Sequence, residues 1–174
     1  THHFDEVKDL KNDAHNAHWY YPMLKIYVKV STDDQGLHWL FTTDKQQNFQ
    51  WPVVGLSRQA TALIIPDGEG LYVPNRDPFW LEEFKKYPIL SLSMPFFAIQ
   101  YKEHVINTMI AEHDEDTEVQ VKQENKQLYL ISSHNFLKRD HFPKYEIFIH
   151  STGNSPISPA LDYRQLLMEE NKFV

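Results

Sequence analysis

Residues 24–30, with the sequence LKIYVKV, contain the clearest secondary-structure pattern in the chain. Apolar side chains occupy every second position of this stretch, and Lys25, Tyr27 and Lys29 stand between them. Successive side chains of a β-strand point to opposite faces, so the alternation predicts a strand that is buried on one face only. We expect the two lysines and the tyrosine to lie on the face that meets solvent.

Residues 24–30 and the residues that follow them are predicted to form a β-hairpin. Residues 33–36, DDQG, are typical of a turn, and residues 37–43 are then predicted to form the second strand. Elsewhere, short apolar or alternating runs bounded by turn residues predict further strands. These lie at 61–65, 71–73, 89–93, 96–101, 104–111, 117–122, 127–133 and 145–150.

Three helices are predicted. In residues 4–18 the apolar side chains recur at spacings of three and four, which favours an amphipathic N-terminal helix. The stripe consists of Phe4, Val7, Leu10, Ala14 and Ala17. A short central helix is predicted to begin after Asp77, which can cap it, with Pro78 at its first position, and to end before Pro88.

The C-terminal helix is predicted to begin at Ser158 and to continue to about Glu170, with Leu161, Leu167 and Met168 as its buried positions. Together these elements predict an α+β fold that is β-rich. We expect a mainly antiparallel sheet with an N-terminal helix, a short central helix and a C-terminal helix. A length of 174 residues fits one globular domain over 1–174.

Composition argues against several classes of protein. The net charge of −7 disfavours nucleic-acid binding, which normally needs a basic patch. The absence of cysteine excludes a disulfide framework, a thiol nucleophile and thiolate metal sites. No apolar run is long enough for a transmembrane segment, and no signal-peptide pattern is found, so we expect a cytoplasmic or surface-associated protein.

Catalytic motifs are not evident, and we predict no catalytic residue. The sequence contains no Walker loop, no G-x-S-x-G elbow and no H-E-x-x-H zinc motif. His15 and His18 form the best candidate metal pair, because residues three apart on a helix share a face. A metal-dependent enzyme, for example a non-haem iron or zinc enzyme that uses a divalent metal, is therefore the alternative hypothesis. Two polar residues beside an apolar stripe remain the simpler interpretation.

Residues 51–92 form a block rich in aromatic residues and proline. Six of the ten prolines fall between positions 51 and 95. The block resembles the central part of the SapC family, named for a surface-layer-associated protein. The positions that carry the resemblance are Trp51, Pro52, Val53, Val54, Ala62, Leu63, Gly68, Glu69, Leu71, Tyr72, Val73, Trp80, Lys85, Lys86, Tyr87, Pro88 and Leu92. Gly70 and Ile89 depart from the family pattern, and the C-terminal third matches poorly.

The resemblance implies a surface-associated or structural protein and provides no catalytic residues. Our leading hypothesis is therefore a non-enzymatic structural or binding protein. We expect it to bind a protein partner or to associate with itself, and to need no cofactor. We expect contacts through Tyr72, Arg76, Phe79 and Trp80, because tyrosine, tryptophan and arginine often anchor interfaces.

Overall fold

The computed structural model describes residues 6–110, 116–138 and 144–169. Within these ranges the chain forms thirteen strands and two helices. The strands are β1 (Lys8–Asn12), β2 (Asn16–Tyr21), β3 (Ile26–Thr32), β4 (Leu37–Thr43), β5 (Gln47–Val54), β6 (Ala62–Ile65), β7 (Leu71–Pro74), β8 (Ile89–Leu90), β9 (Phe96–Gln100), β10 (Val105–Ile110), β11 (Thr117–Glu124), β12 (Gln127–Phe136) and β13 (Tyr145–Thr152). The helices are α1 (Pro78–Lys86) and α2 (Ser158–Glu169).

The strands form two antiparallel sheets that pack face to face. The large sheet has the order β1-β2-β3-β4-β13-β10-β9-β6-β7, and the small sheet has the order β5-β12-β11-β8. Apolar side chains from both sheets share the same clusters; Leu63 and Ile99 of the large sheet, for example, pack with Val121 and Leu130 of the small one. The molecule is therefore a β-sandwich with its core between the sheets.

The hairpin of β3 and β4 has the predicted form. Ile26 and Val28 are buried, whereas Tyr27 and Lys29 face outwards. Strand β4 begins and ends at the predicted residues. The predicted strands from residue 61 to residue 150 are also present, with bounds that differ by a few residues. These predictions are confirmed: β3 alternates between buried and exposed positions, whereas β6 and β9 are continuous runs that are buried throughout.

The central helix is confirmed. The side chain of Asp77 caps α1 by accepting a hydrogen bond from the backbone N–H of Phe79 at 2.9 Å. Leu81 and Phe84 are buried, and α1 packs against β11 of the small sheet.

The C-terminal helix is confirmed over its described residues, but its predicted buried face is wrong. Leu161 and Met168 are 52% and 56% exposed. Helix α2 lies on the large sheet's outer face, which is opposite the small sheet, and contacts β9, β10 and β13. Asp162 and Tyr163 point towards the sheet, where they meet His150 and Phe96. These two contacts set the rotation of the helix about its axis. Glu170 lies outside the described residues.

The predicted N-terminal helix is wrong. The described part of residues 4–18 forms β1, a turn and the start of β2, and the first helix begins at Pro78. Val7 and Leu10, which belonged to the proposed apolar stripe, are 43% and 63% exposed. The carboxylate of Asp13 instead accepts hydrogen bonds from the backbone N–H groups of His15 and Asn16, which makes a tight turn between the strands. Phe4 lies outside the described residues.

Strand β5 is an element that the sequence did not predict. It contains Pro52, which argues against a central strand, but β5 lies at the edge of the small sheet. An edge strand tolerates proline because one side of its backbone needs no partner. Neither helix in the described ranges is long and apolar enough to cross a membrane.

Candidate functional site

The large sheet has an open region on its outer face, beside the part that α2 covers. Outward-facing side chains of β2, β3, β4 and β13 form a shallow surface here, which we call the outer trough. Two adjoining cavities of about 300 and 170 Å³ lie along it and share Lys29 and Leu40. We define the trough by His18, Tyr20, Tyr27, Lys29, Ser31, His38, Leu40, Thr42, Glu146 and Phe148.

A pair of tyrosines forms one end of the trough. Tyr20 of β2 and Tyr27 of β3 are directly opposite each other in the sheet. Their rings stack with centroids 4.4 Å apart and an angle of 27° between the planes. Tyr27 is 57% exposed, so its ring is open to a ligand. A large exposed aromatic surface held by a neighbouring ring is a rigid platform for binding.

A second aromatic group forms the other end. His38 of β4 and Phe148 of β13 are cross-strand neighbours, and their rings stack at 4.5 Å. Phe148 also stacks on His150 at 4.7 Å. Each histidine is held by a carboxylate: Nε2 of His38 lies 3.1 Å from Oδ2 of Asp33, and Nε2 of His150 lies 2.9 Å from Oδ2 of Asp162. The three rings therefore form a fixed ladder.

Charged side chains lie between the two aromatic ends. The register places His18, Lys29, Leu40 and Glu146 in one row across four strands. Neither Lys29 nor Glu146 forms an ion pair with another described residue. Lys29 can therefore donate hydrogen bonds to a ligand that lies over Leu40, and Glu146 can accept them.

The turn between β3 and β4 keeps His38 in place. The carboxylate of Asp33 accepts hydrogen bonds from the backbone N–H groups of Gln35 and Gly36, and these bonds, followed by His38, hold the pKa of Asp33 below its usual range. A Cβ atom at Gly36 would lie 2.5 Å from the carbonyl oxygen of Ile149. Glycine is therefore needed where this turn passes β13.

The predicted metal pair has a different setting from the one assumed. His15 lies in the turn before β2 and His18 lies on β2. Because neither residue lies on a helix, the helical argument for a shared metal no longer applies. Across the described residues, no three histidine or acidic side chains are arranged to hold a metal ion. Metal binding by His15 and His18 stays a prediction.

The four predicted contact residues lie in separate places. Tyr72 is on β7 and lines a groove beside α2, whereas Arg76 lines a cavity near the β11–β12 turn. Phe79 and Trp80 are neighbours on α1, with ring centroids 5.1 Å apart. Phe79 is 62% exposed, and Trp80 packs against the core. Contact through these four residues stays a prediction.

Sequence reasoning missed most of the trough. Tyr27 and Lys29 were predicted to face outwards, and they do. The aromatic run from His18 to Tyr21 was the available signal for β2, because aromatic residues favour strands, but the helical spacing was preferred. Nothing local indicated that Phe148 would lie beside His38, since this pairing depends on the order of strands in the sheet.

Comparisons with known proteins find similarity at the level of the fold. No family model matches the chain, and no curated protein matches it. The ligand-free alpha-N-acetylgalactosaminidase from Bifidobacterium bifidum is similar over 95% of this chain and 31% of its own, with a TM-score of 0.69 and 11% identity. Its complex with GalNAc has a TM-score of 0.66 at 10% identity, with the same coverage.

A family GH92 inverting mannosidase from Bacteroides thetaiotaomicron is similar over 91% of this chain and 20% of its own, with a TM-score of 0.50 and 11% identity. The chain thus spans less than a third of each of these structures. At such low identity the similarity concerns the fold alone, because one fold can carry unrelated functions.

Proposed function

We propose that this chain is a non-enzymatic β-sandwich that binds carbohydrate through the outer trough, as a unit of a glycan-processing protein. The observation that carries the proposal is the stacked pair of Tyr20 and Tyr27, with its exposed ring at one end of a polar trough. The fold similarity to two glycosidases supports the choice of carbohydrate over other small ligands.

The chemistry of the trough suits a sugar. A sugar ring has an apolar face of C–H groups and a rim of hydroxyl groups. The face can pack on the exposed ring of Tyr27, while Lys29 donates hydrogen bonds to the hydroxyls and Glu146 accepts them. The side chains project from paired strands, so little conformational entropy is lost when they meet the ligand.

The test is binding to an array of glycans that end in N-acetylgalactosamine or mannose, followed by calorimetry with the best ligand. Tyr27→Ala should weaken binding roughly tenfold, the loss expected for one good stacking contact. Tyr87→Ala is the matched control, because Tyr87 is 70% exposed but lies beyond the end of α1. If no glycan binds, or if both variants bind as the wild type does, the proposal is wrong.

A protein partner or self-association is the second candidate function. Phe79, Tyr87 and Ile89 are all more than half exposed near α1, within the SapC-like block. Exposed apolar side chains that lie close together favour a protein contact. Sedimentation over a wide concentration range should then show self-association, and Phe79→Ala should weaken it. A protein that stays monomeric and binds no partner through this surface would count against this role.

A further inference from the structure

Three loops surround a polar cavity near the C-terminal end of β5. The cavity has a volume of about 320 Å³ and lies between the segment after β5, the segment after β7 and the β11–β12 turn. We call it the arginine cavity. It is lined by Leu56, Arg58, Arg76, Glu124, Asn125 and Gln127.

The guanidinium of Arg76 is fixed in position by three neutral acceptors. It donates to the carbonyl oxygens of Ala60 at 3.3 Å and Arg58 at 3.0 Å, and to Oε1 of Gln127 at 2.6 Å. Because all three acceptors are neutral, they orient the positive charge without balancing it. These bonds use both hydrogens of Nη2 and one of Nη1, so the N–H of Nε and one N–H of Nη1 remain, and each can donate a single hydrogen bond to a ligand.

Gln127 connects the loops that surround the cavity. Its side chain is 8% exposed, and Nε2 donates to the carbonyl oxygens of Gly55 at 2.5 Å and Ser57 at 2.9 Å. The backbone N–H of Leu128 donates to the carbonyl oxygen of Asn75 at 2.7 Å. The three segments are thus cross-linked, and the cavity wall is preorganised.

The turn that closes the cavity is a tight one. Asn125 and Lys126 both have positive φ angles, 49° and 59°, as a two-residue hairpin turn requires. Of the two turn residues, Asn125 lines the cavity. Asn125 contributes an amide that can donate to a ligand.

The balance of charge in the cavity is positive. Two arginines line it against one acid, Glu124, and none of the three forms an ion pair with a described residue. This arrangement stands out in a chain whose net charge is −7. Guanidinium groups bind carboxylate, sulfate and phosphate oxygens in pairs, because their N–H groups match the spacing of those oxygens.

We infer that the arginine cavity binds the oxyanion group of a small molecule, with Arg76 as the fixed donor and Arg58 as the second, movable one. This site lies apart from the outer trough, so it does not depend on the carbohydrate proposal. The candidate ligands share a planar or tetrahedral oxyanion group. Carboxylate, sulfate and phosphate are its three possible sources.

The experiment titrates the 174-residue chain with sodium sulfate, phosphate and glucuronate, each against sodium chloride at equal ionic strength, by calorimetry and thermal unfolding. At least one of the three oxyanions should give saturable binding by calorimetry and raise the Tm of the wild type more than the Tm of Arg58→Gln, because the general stabilising effect of sulfate and phosphate is the same for both proteins. The oxyanion that binds best identifies the class of ligand. If none exceeds chloride, the inference is wrong.

Variants separate binding from folding. The side chain of Arg58 makes no hydrogen bond within the described residues, so Arg58→Gln should leave the Tm of the free protein unchanged and weaken anion binding roughly tenfold. Lys45→Gln removes the same charge at an exposed site on the β4–β5 turn and should leave binding unchanged. Arg58→Lys should retain part of the affinity. If Arg58→Gln binds as the wild type does, the anion does not bind in the arginine cavity and the inference is wrong.

Discussion

The two faces of the large sheet bury polar side chains in different ways. On the inner face, the hydroxyl of Tyr145 lies 2.7 Å from Oγ of Ser132 and donates to the carbonyl oxygen of Trp51 at 3.0 Å. On the outer face, under α2, Asn107 is fully buried, and neither its Nδ2 nor its Oδ1 has a hydrogen-bond partner among the described residues.

The difference concerns what each polar group contributes to the fold. The hydroxyl of Tyr145 joins β13 of the large sheet to β12 and β5 of the small one, so it helps to set how the two sheets face each other. Asn107 has lost its hydrogen bonds with water, and no described residue replaces them, which costs stability. The hydroxyl of Tyr145 therefore stabilises the packing of the two sheets, whereas the buried amide of Asn107 lowers stability.

Removing the hydroxyl of Tyr145 should have the largest effect. Tyr145→Phe removes the hydroxyl that bonds to Oγ of Ser132 and to the carbonyl oxygen of Trp51 in the core. We expect the free energy of unfolding to fall by about 1–3 kcal/mol. Urea unfolding followed by tryptophan fluorescence measures this. An unchanged urea midpoint would mean that the bridge between the sheets adds nothing to stability.

The same residue predicts a dependence on alkaline pH. Burial raises the pKa of Tyr145 above its ordinary value of 10.0, with a smaller opposing effect from the Ser132 hydrogen bond. As pH rises above 10, the unfolded chain loses this proton while the folded chain keeps it, so the stability present below pH 10 declines. A rise of one pH unit above pH 10 should lower the free energy of unfolding by about 1 kcal/mol. Tyr145→Phe should lose less stability over the same interval than the wild type.

On the outer face, replacing the buried polar residue Asn107 should increase stability. Asn107→Leu replaces an unsatisfied amide with an apolar side chain of similar size, and should raise the free energy of unfolding by about 1 kcal/mol. Asn48→Leu is the control, because Asn48 is exposed and already bonded to Ser133 and Asn135, and it should give no gain. A loss of stability in Asn107→Leu would show that the amide has a structural partner.

The hydrogen bond between His150 and Asp162 should have the smallest effect on global stability. Asp162→Asn or His150→Gln weakens the contact that orients α2, and we expect a loss of roughly 0.5–1 kcal/mol. Hydrogen exchange should become faster in α2 and stay unchanged in β11 and β12. Equal protection of α2 in the variants and the wild type would show that apolar packing alone holds the helix.

The elements that local sequence describes well were predicted well. In β3 and β4 the alternation, the turn residues and the burial all agree, and α1 carries its own cap and stop signals in Asp77 and Pro88. The N-terminal segment was misjudged because the same residues satisfy a helical spacing and a strand pairing. The pairing of β2 with β3 stabilises the strand form, and it is not visible within the segment itself.

The candidate sites were predictable only in part. Tyr27 and Lys29 follow from the alternation, and Arg76 was singled out as a binding residue by its type. Its partner Gln127 is 51 residues away in sequence, and Phe148 is 110 residues from His38. Such contacts arise when separate segments come together, so spacing along the chain does not reveal them.

The amino-acid sequence by itself determined the β-rich character, the bounds of most strands, the capped central helix and the exclusion of cysteine chemistry. These follow from short-range properties: side-chain periodicity, capping and composition. Only the tertiary structure decided the order of strands in each sheet, the rotation of α2, and therefore which side chains form the outer trough and the arginine cavity. The physical reason is that strand pairing and sheet packing join residues that are distant in sequence, and many pairings are compatible with the same local pattern.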